Sequence, residues 1–313
     1  DTEVLVEWIA RFGVPAALEA VNGMFAFAIF NEADYMLARD PIGIKPLYYG
    51  YFKDRIYFTS ELGAMTLAGV DEVHEFPPGH YYTACEGFVQ YYQVPTERNE
   101  LISDVEKAGE LIRRNVIKAV KDRLLSDPLV PVGSFCSGGL DSSLVAAIAA
   151  ENIPRLHTFA VGMRGANGEL SDDLKAGRIA ADHIGATHHE LVFSEDDYYE
   201  ALPLVIRKLE TYDPALVRCA VPCYFTCQLA ADYVTVVLTG EGADELFAGK
   251  ARRPSDANRA AAGRWRNPCS RRGRVDCRDR QHRHLRYSSR ARRAHDCQPG
   301  NPGRYGGVVR KTR

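Results

Sequence analysis

The run Ser137-Gly138-Gly139-Leu140-Asp141-Ser142-Ser143 packs two glycines, three hydroxyls and one carboxylate into a single turn, a combination suited to holding a pyrophosphate. Glycines let the backbone approach an anion, the hydroxyls donate, and a helix beginning at the run would add unpaired N–H groups and its positive dipole end. Asp141 cannot face phosphate directly, because the charges repel, so it is expected to hold a divalent metal that bridges to the phosphates. No lysine precedes the serines, which separates the run from a P-loop. A second run, Thr239-Gly240-Glu241-Gly242-Ala243-Asp244-Glu245, repeats the pattern of glycines followed by acidic residues. With Asp141 opposite, Asp244 completes a carboxylate pair for Mg2+, which takes few carboxylates together with phosphate oxygens and water. Glu241 is then left for orientation or acid–base work near a reacting carboxyl group. Helix capping would explain Asp244 and Glu245 without any site. Two such loops in one chain favour the site.

Both runs need the same frame, a buried strand ending at a glycine turn and a helix starting just after it. Residues 130–135 are short, apolar and β-leaning and residues 142–150 are Ala-rich, so strand passes into helix at the first run. Strands at 156–161, 189–193 and 234–239 then alternate with helical stretches at 173–184, 195–209 and 216–231. That order implies an α/β fold with a doubly wound parallel sheet, whose ligands sit beyond the carboxyl ends of the strands, where the two loops should face each other. Upstream, residues 1–22 read as helices broken at Gly13 and Pro15. Short strands follow from residue 24, with small residues between aromatics, which suggests a layered α+β unit packed on both faces. An amphipathic helix begins after a linker at 96–104, giving units at 1–100 and 101–250.

Other reactive side chains weigh less. His188 and His189 are adjacent on a strand and so point to opposite faces, one to the core and one to the surface. Cys219, Cys223 and Cys227 share one helix face and read as small apolar core residues, with no fourth ligand for a metal. Arg218 lies in the otherwise apolar stretch 215–220, where an unpaired guanidinium would be costly, so it is expected to meet a phosphate or a substrate carboxylate.

The net charge of −2 conceals a division. Residues 251–313 hold 18 Arg and one Lys against four Asp, with few large apolar residues and no helical or strand period. Such a tail cannot build a core and is expected to be disordered or non-native rather than a nucleic-acid-binding arm. Eight cysteines without paired CxxC spacing in a long chain are expected to be reduced. No apolar run reaches the length of a membrane span and no leader opens the chain, so a soluble cytoplasmic protein is expected.

The Ser137 heptapeptide, the stretches 156–163 and 186–190, Glu210-Thr211-Tyr212-Asp213 and the Thr239 loop together resemble the ATP-pyrophosphatase domain of glutamine-hydrolysing asparagine synthetases. Residues 22–28 and 38–49 resemble the second half of that family's N-terminal-nucleophile glutaminase domain. The resemblance spans residues 1–250. It implies that Ser137, Gly138, Gly139, Leu140, Ser142 and Ser143 hold the ATP pyrophosphate, with Val161 at the adenine and Thr239 and Gly240 on the nucleotide. Asp141 and Asp244 would hold Mg2+, Glu241 would help form a β-aspartyl-adenylate, Arg218 would contact the phosphate or the intermediate, and Asp1 would grip the α-amino group of glutamine. The family reaction activates aspartate with ATP and transfers ammonia from glutamine to give asparagine and AMP; it allows a homodimer, and nucleic acid is not expected as a partner. The chain opens at Asp1 rather than at the family's cysteine nucleophile, and the Arg-rich tail stands where the family supplies a catalytic lysine. A chain truncated at both ends, without glutaminase or complete synthetase activity of its own, is therefore expected. Another amidotransferase or cyclase of the superfamily, acting on a different carboxylate, is the alternative, with nucleic-acid binding through the tail behind it.

Overall fold

The computed structural model describes residues 2–30, 34–53, 55–95, 101–125, 127, 129–164 and 168–247, and the Arg-rich tail lies outside them. The described residues form two compact units that divide between 95 and 101.

The first unit opens with α1 (Thr2–Phe12) and α2 (Val14–Ala20) and continues through β1 (Ala26–Phe30), β2 (Tyr35–Arg39), β3 (Tyr48–Phe52), β4 (Arg55–Thr59), α3 (Leu62–Leu67), β5 (Val73–Glu75), β6 (His80–Thr83) and β7 (Gly87–Gln90). One antiparallel sheet runs β1-β2-β6-β7 and a second runs β4-β3-β5. In the β1–β2 pair Ala28 lies opposite Leu37 and Ile29 opposite Met36. Because successive side chains alternate in direction, these pairs face opposite ways. Ile29 and Met36 pack on Ile9, Val14, Ala17 and Leu18 of the helices, whereas Ala28 and Leu37 pack on Leu47 and Phe76. The first sheet is thus covered by helices on one face and by aromatic residues of the second sheet on the other, as the small-and-aromatic pattern implied.

The turn after β2 is built by two buried charged residues. Asp40 is fully buried and accepts hydrogen bonds from the backbone N–H groups of Ile42 (3.3 Å), Ile44 (2.9 Å) and Lys45 (2.9 Å). Arg39 donates to the carbonyls of Lys45, Gly43 and Phe76 and pairs with Glu75 at 2.8 Å. Tyr91 closes the cluster by donating its hydroxyl to the Arg39 carbonyl at 2.7 Å; burial, with Asp40 nearby, pushes its phenol well above the usual range.

The second unit begins with α4 (Val105–Arg123), capped by Asp104, whose side chain accepts from the Lys107 N–H. It continues through β8 (Val132–Phe135), α5 (Leu140–Ala150), β9 (His157–Met163), α6 (Asp172–Ile184), β10 (Thr187–Phe193), α7 (Glu195–Leu209), α8 (Pro214–Ala231), β11 (Val236–Leu238) and α9 (Ala243–Phe247). The four strands are parallel, in the order β10-β9-β8-β11. Helices α5 and α6 pack on β8, β9 and β10 with α4 outside them, while α8 packs on β9 and β10 with α7 outside it. Two separate apolar clusters, one around Ala146, Ala149 and Leu156 and one around Phe159, Ala230 and Val234, fill the two faces. This is the doubly wound parallel sheet read from the strand–helix alternation.

The elements differ from the sequence expectation mainly at their ends. Strand β8 starts at Val132 because Pro131 has no N–H to offer; its carbonyl instead accepts from Thr235 and Val236. Helix α8 starts at Pro214, ahead of the expected residue 216, because the Asp213 carboxylate caps the N–H groups of Ala215 and Leu216.

Candidate functional site

The site follows from the strand order. After β8 the chain crosses to β9 on one side, and it returns through α8 to β11 on the other, so the loops leaving these two neighbouring strands part at their carboxyl ends. Parallel pairing sets Leu238 beside Ser134, which places both loops at one level.

Two glycines set the loops in place. Gly138 has φ +79°, and a Cβ there would stand 2.3 Å from the Ala176 carbonyl carbon, so the first loop is pressed onto α6. At Gly240 a Cβ would come within 2.9 Å of the Ser142 nitrogen and 3.0 Å of the Asp141 Cβ, so the second loop touches the first at the metal-binding candidate. Between them opens a cavity of about 390 Å3, lined by Ser137, Gly139, Asp141 and Ser142 from the first loop and by Thr239, Gly240, Glu241 and Asp244 from the second. Val161, on β9, completes the expected wall. The volume is in the range of small-molecule sites. The Ser137 and Ser142 hydroxyls lie 3.1 Å apart, and the Glu241 N–H donates to Thr239 Oγ1 at 3.3 Å, which turns the second loop back over the strand end.

Four expected residues stand elsewhere. Leu140 is 81% exposed, because it begins α5 on the side away from the cavity, and Gly138 is taken up by its contact with α6. Ser143 also lies outside the wall, its Oγ buried without a hydrogen-bond partner. Arg218 is exposed and outside the wall as well. Its neighbours Val217 and Val221 hold the buried face of α8, so the guanidinium meets water and the desolvation cost expected for it does not arise. Asp1 lies outside the described residues.

Asp141 and Asp244 share the cavity. Among the described residues no group of three or more His, Cys, Asp or Glu side chains is arranged to hold a metal ion. Two carboxylates on a cavity wall nevertheless suit Mg2+, which keeps several waters and takes further oxygens from phosphate. The donor set therefore fits the ion when a nucleotide brings the rest.

The wall residues that were not foreseen include Asp173 and Glu245, which add carboxylates, and Cys223, which enters from α8. Asp173 sits in the first turn of the helix that follows β9, a position that strand order alone would flag. Cys223 had no such signal, since its helix was read as presenting cysteines to the core. Cys219, Cys223 and Cys227 are instead exposed, because the buried face of α8 is made by Val217, Val221, Thr226 and Ala230. Cys136, like these three, is a free thiol. His188 and His189 are both half-buried rather than one buried and one exposed. His188 Nδ1 lies 2.9 Å from Thr158 Oγ1, His189 Nε2 lies 2.9 Å from His157 Nδ1, and Tyr233 stacks on His189.

Comparison with known proteins places these features in context. The family model described as asparagine synthase matches residues 111–304, and that described as glutamine amidotransferase domain matches residues 1–108. The asparagine synthase match runs past Lys250, where the resemblance was expected to stop. The chain is 36% identical over 263 residues to asparagine synthetase [glutamine-hydrolyzing] 3 of Arabidopsis thaliana, covering 80% of this chain and 44% of that protein. It is 39% identical over 255 residues to a probable asparagine synthetase [glutamine-hydrolyzing] of Dictyostelium discoideum, covering 73% and 44%. To asparagine synthetase B [glutamine-hydrolyzing] of Escherichia coli it is 36% identical over 268 residues, covering 80% and 47%. The chain thus spans under half the length of these relatives.

Proposed function

Since the chain belongs to the asparagine synthase family, we propose that its second unit binds ATP with Mg2+ in the crevice between the Ser137 and Thr239 loops and activates the carboxylate of aspartate for amide formation. The observation that carries this reading is the meeting of the two loops, with Asp141 and Asp244 on one cavity wall and Gly240 against Asp141. A carboxylate is a poor electrophile, and adenylation supplies a leaving group. The ion, when bound, neutralises the pyrophosphate that leaves. Ser137 and Ser142 offer hydroxyl donors to phosphate oxygens, and the N-terminus of α5 faces the same space with its unpaired N–H groups. Glu241, on the same cavity wall as the carboxylate pair, orients the acid to be activated. In the whole protein the first unit, which matches the glutamine amidotransferase model, would take glutamine as the ammonia source for the same reaction.

Titration of the full chain with ATP and Mg2+ tests the core of this reading. Asp141→Asn and Asp244→Asn should each weaken Mg2+-dependent ATP binding by about 100-fold, close to 2.7 kcal/mol, with no change in the unfolding midpoint for Asp141→Asn. Binding that survives both substitutions overturns the assignment. Pyrophosphate exchange dependent on aspartate, rather than on other carboxylic acids, identifies the substrate.

A further inference from the structure

Helix α8 carries Cys219, Cys223 and Cys227 at one-turn intervals on an exposed face, and all three thiols are free. Cys223 and Cys227 lie one helical turn apart, and Cys223 forms part of the cavity wall together with Glu241. Cys219 and Cys227 are separated by two turns, roughly 12 Å along the axis, too far to share one atom. Cys223 is one turn from each of the others, and the neighbouring thiol that acts on it is that of Cys227, so the working pair is Cys223 with Cys227.

Two common fates of neighbouring thiols are closed to this pair. Residues four apart on a helix hold their Cβ atoms about 5–6 Å apart, whereas a disulfide needs about 3.5–4.5 Å, so a direct S–S bond would require the helix turn to break. Nor is Cys223 a ready nucleophile. Partial burial in the wall, and then the adjacent Cys227, push its thiol up to about 11, so little thiolate exists at neutral pH. What suits the pair is a single atom that spans a wider gap than a disulfide and reacts with neutral thiols.

We propose that Cys223 and Cys227 form a dithiol site on the cavity wall that chelates a trivalent arsenical. With an arsenoxide, R–As=O, two As–S bonds form and the arsenic–oxygen bond breaks. The oxygen leaves as water with both thiol protons. Arsenic stays trivalent, so neither oxidant nor reductant enters. The substituent on arsenic is then carried on the wall of the cavity that also holds Glu241.

Treating the full chain with phenylarsine oxide, followed by intact-mass measurement and peptide mapping, tests the site. A bridged adduct should map to the peptide holding Cys223 and Cys227, withstand excess 2-mercaptoethanol and be released by 2,3-dimercaptopropanol. Cys223→Ser and Cys227→Ser should each weaken its retention by about 100-fold, through loss of the second, intramolecular bond, while Cys219→Ser should leave it unchanged. An adduct at α8 that persists in both of the first two variants, or that joins Cys219 to Cys223, overturns the proposal. ATP binding by the loaded chain provides a separate readout. Loss of binding supports the location on the cavity wall, and equal binding with and without the adduct overturns it. A chain that binds no ATP before loading defeats the nucleotide reading alone, because the mass measurement still decides the dithiol site.

Discussion

Asp40 and Asp141 stand at comparable places in the two units, Asp40 in the turn that follows β2 and Asp141 in the first turn of α5 beyond the glycine loop that follows β8, yet their carboxylates have opposite surroundings. Asp40 is fully buried and its oxygens accept three backbone N–H groups of its own loop. The Asp141 carboxylate lines an open cavity and accepts no hydrogen bond from any described residue. A carboxylate saturated by its own turn is architecture, because nothing remains for a ligand to bind. One held away from internal donors keeps its charge available, which is what a hydrated cation requires. The contrast shows why an Asp after a strand is not by itself a site.

The largest expected effect separates these two residues. Asp40→Ala leaves three buried N–H groups without their acceptor and should lower stability by about 3–5 kcal/mol, read as a fall in the urea midpoint. Asp141→Ala, at a half-buried position in the first turn of α5, should move that midpoint by under about 1 kcal/mol, the scale of one charge at a helix N-terminus. Equal losses would erase the distinction between the two turns.

A smaller effect sharpens the comparison within the second unit. Gly138→Ala must take a left-handed backbone and displace α6, so it should cost about 3 kcal/mol of stability. Gly240→Ala meets its neighbours less closely, with a nearest contact of 2.9 Å. Its close neighbours include backbone atoms of the first loop, so it should cost a smaller part of the stability, about 1 kcal/mol, and weaken Mg2+-dependent ATP binding by parting the loops. If Gly240→Ala lowered stability as much as Gly138→Ala, the second loop would be structural too.

The smallest expected effect is a pH dependence. Burial holds His188 and His189 below the usual histidine range, and His157 adds to the shift at His189. The unfolded chain binds these protons near pH 6.5, about the ordinary histidine value. The stability contributed by the neutral rings is therefore complete above that pH and is lost as pH falls through their depressed folded values. Urea midpoints taken on descending from pH of about 7.5 should decline below about 6.5, and His189→Phe should flatten the decline. A midpoint that rises on acidification would contradict the burial of these rings.

Much of the site was legible because its parts are local. The runs at Ser137 and Thr239 announce themselves by residue type, and the alternation of strands and helices from residue 130 onward places both at strand ends. Side-chain exposure on α8 was not legible. Its residues are apolar around most of the helix, so the pattern does not say which stripe meets the sheet, and Arg218 and the three cysteines were assigned to the wrong side. Asp173 was missed for a related reason: it is distant in sequence from both loops, and only the β9–β8 pairing brings its helix to the cavity.

The sequence by itself determined the two turn chemistries and the parallel α/β arrangement, since backbone freedom at glycine, acidic charge and hydrophobic period act over a few residues. The tertiary structure alone decided which carboxylates share a cavity and which stripe of α8 faces water. Those outcomes depend on strand order and on packing between segments up to about a hundred residues apart, where loop closure and burial, rather than local propensity, set the result.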